Sequence, residues 1–157
     1  MDSTLSHLLP EVINIARASG QLILDIYEKG DFEEFTKSDE TPVTSADLAA
    51  HKLIMEKLAQ LTPDIPILSE EDADIALAQR AQWNRYWLVD PLDGTQEFIA
   101  RSGDFATIIA LVHHNQPILG MIYGPKDDVL YWAVEGEGAY KEDVNGEQRI
   151  YTHRCQQ

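Results

Sequence analysis

"DFATIIALVHHNQPILGMIYGPKDDVLYWAVEGEGAYKE" runs from Asp104 to Glu142. Apolar, β-branched and aromatic runs (DFATIIALVHH, QPILGMIYGP, DVLYWAVE, GAYKE) are broken by short clusters of Asn, Gly, Pro and Asp. Such clusters reverse the chain tightly, so neighbouring runs are expected to pair as an antiparallel meander. EQRIYTH, beyond the DVNGE turn, adds one more strand.

The period changes towards the N-terminus. Within residues 5–28, Leu8, Val12, Ile15, Ala16, Leu22, Ile23 and Ile26 recur at helical spacing. Proline is best tolerated in a first turn, so the helix proper is expected to begin near Pro10, with Gly30 as its stop. FEEFTK (Phe32 to Lys37) reads as a short strand. SDETPVTSAD then leads into a second helix, capped by Thr44 or Ser45 and continuing through Leu48, His51, Lys52, Met55, Leu58 and Ala59. DIPIL (Asp64 to Leu68) is a short strand entering SEED, ADIALAQRAQW a third, shorter helix, and YWLVD (Tyr86 to Asp90) a strand. Two long helices ahead of a largely antiparallel sheet imply an α+β fold with the helices covering one face. The 157 residues suffice for a single domain with a real core.

The net charge is −15, with 44% hydrophobic and 25% charged residues. That balance fits a globular protein and argues against binding a nucleic-acid backbone. It leaves room for a phosphorylated small molecule, because a bound cation inverts the sign of a local site. Cys155 is the single cysteine, which suits a reducing compartment. No apolar run has the length of a membrane span, and the early acidic residues do not suit a signal peptide. A cytoplasmic protein, or one peripheral at the inner membrane, is expected.

The chemistry gathers in three polar clusters. In WLVDPLDGTQEFI (Trp87 to Ile99), a strand delivers Asp90 and Asp93 to a proline-stiffened corner, with the Leu92 carbonyl beside them. Oxygen-only donors suit a hard cation such as Mg²⁺. Gly94 and Thr95 would open a short helical turn whose N–H groups suit a phosphate oxygen. LSEED brings Glu70 and Glu71 to the end of another strand, and TPVTSAD brings Thr44 and Asp47 to a helix start. Taken singly, each cluster is more often a turn or a helix cap than a ligand set. His7, His51, His113, His114 and His153 lack ligand spacing and read as surface or packing residues. Trp83, Trp87 and Trp132 read as core.

Together, DETPVTSAD, ILSEED and WLVDPLDGTQEFI resemble, in order and spacing, the inositol monophosphatase-like family of metal-dependent, lithium-sensitive phosphatases. Asp-Gly-Thr-x-Glu-Phe (Asp93 to Phe98), PILGMIYGP and EGEGAY are similar to its CysQ-type branch, which acts on 3'(2'),5'-bisphosphate nucleotides. Inositol monophosphatases usually carry asparagine where Glu97 stands. The resemblance implies that Glu70, Asp90 and the Leu92 carbonyl hold one Mg²⁺, that Asp90 and Asp93 hold a second, and that Gly94 and Thr95 meet the phosphate. It implies that Thr95 and Asp47 orient and deprotonate the attacking water, with Glu71 and Thr44 as supports. The implied reaction converts adenosine 3',5'-bisphosphate to AMP and phosphate, in sulfate assimilation. The alternatives are an inositol or sugar monophosphatase and a non-catalytic metal-binding fragment. The family's second α/β domain, with a Trp-Asp pair completing the second metal site, is expected to be missing. The chain is then expected to be weakly active or inactive, with an apolar face that favours self-association.

Overall fold

The computed structural model describes residues 3–37, 40–72 and 75–152; Cys155 and His153 lie outside them. Helix α1 spans Ser3–Lys29, and a small antiparallel hairpin pairs β1 (Glu34–Thr36) with β2 (Pro42–Thr44). Helix α2 (Ser45–Leu61), β3 (Ile67–Ser69), the one-turn α3 (Leu77–Arg80), β4 (Arg85–Asp93) and the short α4 (Thr95–Ile99) follow. The meander is β5 (Ala106–His113), β6 (Gln116–Gly124), β7 (Val129–Val134), β8 (Gly138–Asp143) and β9 (Gly146–Ile150).

These strands form one sheet in the order β3-β4-β5-β6-β7-β8-β9. β3 runs parallel to β4, and every other pair is antiparallel. The β5–β6 reversal uses His114 and Asn115, both at positive φ (47° and 62°), the geometry that matches strand twist in a two-residue turn. Helices α1 and α2 pack on one face. Val12, Ile15 and Ala16 of α1 and Ile54 and Leu58 of α2 meet Trp87, Val89, Ile109, Leu111, Leu119, Met121 and Leu130. The alternate residues of the same strands look away from the helices. A second cluster joins Ile23 and Tyr27 to Ala46, Ala50, Leu92, Phe98 and Phe105. No helix among the described residues is long and apolar enough to cross a membrane.

The expected α+β fold is therefore present, with local differences. Pro10 lies inside α1 rather than at its start. Leu5 is buried, with Leu8 and Leu9 packed against the core, and this holds the turn ahead of the proline. The third helix shrinks to Leu77–Arg80, which has no side-chain cap and buries no residue. β4 does not end at Asp90 but pairs on to Asp93. Trp87 is fully buried, whereas Trp83 and Trp132 are half-buried. Trp132 stacks on Tyr140 at the rim of the core, with ring centroids 4.2 Å apart.

Candidate active site

Two residues three apart in a regular strand point to opposite faces, so Asp90 and Asp93 need an irregularity to share a space. β4 supplies it. Asp90 pairs with Ile108 and Asp93 with Ala106, so the span opposite β5 holds one extra residue, a bulge. The Thr107 hydroxyl pins the bulge by donating to the Pro91 carbonyl at 3.0 Å. Asp90, Leu92, Asp93, Gly94 and Thr95 then border one cleft of about 310 Å³, joined by Glu70, Glu97 and Lys37.

Gly94 turns the chain at φ 90°, and a Cβ there would lie 2.7 Å from the Asp104 carbonyl oxygen. Only glycine accommodates both. α4 is anchored from below by Phe98, whose ring packs against Tyr27, Phe32 and Phe105 at centroid distances of 5.4, 5.0 and 5.3 Å. On the other side of the cleft, α2 starts with a capping box. The Asp47 carboxylate accepts at Oδ2 from the Thr44 N–H (2.8 Å) and hydroxyl (2.6 Å). Asp47 Oδ1 accepts the Thr95 hydroxyl at 2.8 Å, and the Leu92 carbonyl is a longer second acceptor at 3.3 Å. Asp47 is fully buried yet satisfied at both oxygens.

The third wall is the turn after β3. Its Asp72 N–H donates to the Ser69 carbonyl at 3.0 Å, which places Glu70 and Glu71 at the corners. Lys37 Nζ bridges them, 2.8 Å from Glu70 Oε1 and 2.9 Å from Glu71 Oε2. Burial alone would lower the Lys37 pKa, but the two glutamates raise it. Burial, and then Glu70 alongside, push Glu71 up to about 7 despite Lys37. Burial, with repulsion from Glu70, Asp93 and Asp47, pushes Asp90 up to about 6.

The sequence-predicted residues Glu70, Asp90, Leu92, Asp93, Gly94 and Thr95 thus border one cleft, and Asp47 joins them through Thr95. Asp90 Oδ1 and Glu71 Oε1 are buried with no hydrogen-bond partner. An orphaned buried carboxylate oxygen among further acids and a carbonyl fits a hard divalent cation. No three His, Cys, Asp or Glu side chains among the described residues converge into a finished cage. Glu70 would have to exchange Lys37 for the ion. Two neighbours escape a reading based on carboxylate motifs. Lys37 is one, signalled only as the cation ending FEEFTK. His51 is the other, one helical turn after Asp47 on the same face of α2; its Nδ1 lies 2.8 Å from Ser69 Oγ.

The sequence matches the inositol monophosphatase family over residues 4–157. The chain belongs to the inositol monophosphatase family. Within that family it is 48% identical over 144 residues to the 3'(2'),5'-bisphosphate nucleotidase CysQ of Salmonella typhimurium, covering 91% of this chain and 58% of that protein. It is 44% identical to the CysQ of Aggregatibacter actinomycetemcomitans, covering 96% and 56%. The crystal structure of CysQ from Bacteroides thetaiotaomicron superposes with a TM-score of 0.78 at 36% identity, covering 99% of this chain and 61% of that one. The IMPase of Thermotoga maritima gives 0.79 at 27% identity, covering 94% and 54%. This inositol monophosphatase family chain therefore spans less than two thirds of the length of these relatives.

Proposed function

We propose that this chain carries the ion- and phosphate-binding machinery of a Mg²⁺-dependent 3'(2'),5'-bisphosphate nucleotidase that cleaves adenosine 3',5'-bisphosphate to AMP and phosphate. The observation that carries the reading is Asp90 Oδ1, a buried carboxylate oxygen with no partner in a cleft flanked by the Thr95–Asp47 hydrogen bond. The likeness to CysQ proteins and the glutamate at position 97 favour a nucleotide over inositol phosphate as substrate.

Glu70, Asp90 and the Leu92 carbonyl would hold one ion, and Asp90 and Asp93 a second. Mg²⁺ so bound would acidify the attacking water and neutralise the phosphate. The main-chain N–H groups of Gly94 and Thr95 would orient a phosphate oxygen. Thr95 has its hydroxyl proton directed at Asp47 Oδ1, so its oxygen is free to accept a proton from the water while passing its own to Asp47. Thr44 keeps Asp47 aimed by occupying Oδ2. A cytoplasmic location and pairing with a second copy through the outward sheet face belong to the same reading.

Calorimetric titration with Mg²⁺, beside phosphate release from adenosine 3',5'-bisphosphate and inositol 1-phosphate, tests it. Saturable binding and a preference for the nucleotide are expected. Turnover by these 157 residues is expected to be slow, because they contain no Trp-Asp pair. Absence of Mg²⁺ binding, or a preference for inositol 1-phosphate, would overturn the reading.

A further inference from the structure

Ser69 is 3% exposed, so its hydroxyl needs partners inside the protein. Its oxygen accepts the Glu71 N–H at 3.3 Å. Its other partner is His51 Nδ1, 2.8 Å away, and we assign the hydroxyl as the donor of that bond. That assignment puts the ring proton on Nε2, which faces Asp72 Oδ1 at 3.6 Å, an electrostatic contact rather than a hydrogen bond. His51 thus bonds the start of the Ser69–Asp72 turn and faces its end, with Glu70 and Glu71 between its two contacts. The start of the turn is fixed from the sheet as well, by the Glu70 N–H donating to the Val89 carbonyl at 2.9 Å.

Asp47 and His51 lie four residues apart on α2 and so share one helix face. Asp47 ties that face to Thr95 and the α4 corner, and His51 ties it to the glutamate turn. One rigid helix segment therefore sets the spacing between the two halves of the cleft. We propose that His51 is a positioning residue that holds Glu70 at the reach of an ion bound by Asp90, acting through Ser69 and Asp72. This rests on the ion-binding reading above. The carboxylate itself stays exposed and is held by Lys37, so it is the turn's backbone that His51 constrains, and through it the side chain's origin.

The test is Mg²⁺ calorimetry with thermal melts on the 157-residue chain and four variants. Asp90→Asn should abolish binding. His51→Leu should weaken the Mg²⁺ dissociation constant by about 10–100-fold, the usual cost of losing a group that orients a metal ligand. His51→Asn places an amide where Nδ1 was, keeps the Ser69 bond and should recover most of the affinity. Ser69→Ala removes the other end of that bond and should weaken binding as His51→Leu does, which keeps the inference testable if the leucine variant does not fold. A wild-type chain that fails to bind Mg²⁺ would defeat the ion-binding reading itself. Wild-type binding that disappears in Asp90→Asn but is unchanged in His51→Leu and Ser69→Ala would overturn the positioning role alone. So would equal weakening in His51→Asn and His51→Leu, since a role in packing gains nothing from the amide.

Discussion

Asp90 shares its strand-to-strand row with the apolar Ile108 and Ile122 on one side and faces the acids of the cleft on the other, so both burial and repulsion act on its charge. An unfolded aspartate titrates near 3.9. In the fold, Asp90 titrates at about 6 and Glu71 at about 7. Between those values and their unfolded ones the native state binds more protons than the unfolded state, so stability falls as pH rises from about 4 to about 7 and levels off above. Thermal melts without divalent metal should show this slope. Asp90→Asn should make it shallower, leaving the share that Glu71 contributes, and stabilise the chain at pH 8 by on the order of 1 kcal/mol, allowing for water that still reaches the cleft. Mg²⁺ at pH 8 should raise the melting temperature of the wild type and leave that of Asp90→Asn unmoved. Parallel pH profiles for the two chains would show that Asp90 is not strained. The motif spacing made these carboxylates visible as a group. It left open how Asp90 and Asp93 face one way, because that depends on a bulge whose extra residue no local pattern announces. It hid Lys37 and His51, because a lone lysine or histidine carries no spacing signal and its role arises only from contacts distant in sequence.

At the scale of elements, the start of α2 is both a cap and part of the cleft. Thr44 accepts from the N–H groups of Ala46 (3.2 Å) and Asp47 (3.5 Å) while donating to the Asp47 carboxylate. Thr44→Ala should cost about 1 kcal/mol for the cap and about 1–3 kcal/mol more for a buried carboxylate short of a donor. Urea denaturation would measure the loss, and Thr44→Ser should restore most of it. A loss under about 0.5 kcal/mol would mean that water replaces the hydroxyl. A cap at Thr44 or Ser45 was legible because a hydroxyl residue ahead of a helical run has a specific physical use, and the structure decides for Thr44 through its reciprocal bonds with Asp47. The meander was legible for the same kind of reason: turn residues and strand periodicity agree along it. Pro10 and α3 were less legible because tertiary burial decided them. Leu5 retains a turn that the proline disfavours, and α3, burying nothing, does not extend.

Among the described residues, helices α1 and α2 cover one face of the sheet and no helix packs on the outward row of the other. On that outward side, Ala110, Gly120, Ala133 and Ala139 align across adjacent strands, with Ile108, Ile122 and Tyr131 as the next row. Small residues beside large ones leave a groove of about 700 Å³. Ile122 and Tyr131 are 46% and 41% exposed. Ala110, Gly120, Ala133, Ala139, Ile108, Ile122 and Tyr131 are uncharged, with Asp90 and Lys141 at the two ends of the second row and Glu135 at the groove's edge, while the chain as a whole carries −15. Two copies meeting here would gain apolar burial against long-range repulsion between like-charged bodies. Salt screens the repulsion and leaves the apolar gain intact, with the Debye length falling from about 10 Å at 0.1 M to about 3 Å at 1 M. Association of the chain with itself should therefore strengthen as salt is raised, the reverse of an association held by ion pairs. Sedimentation equilibrium at low and high NaCl reads this directly. Ile122→Lys, which sets a charge in the centre of the face and leaves the helix-covered core untouched, should keep the chain monomeric at both. A wild-type chain that stays monomeric at high salt and high concentration, or an Ile122→Lys variant that associates as the wild type does, would show that this face does not pair with its own copy.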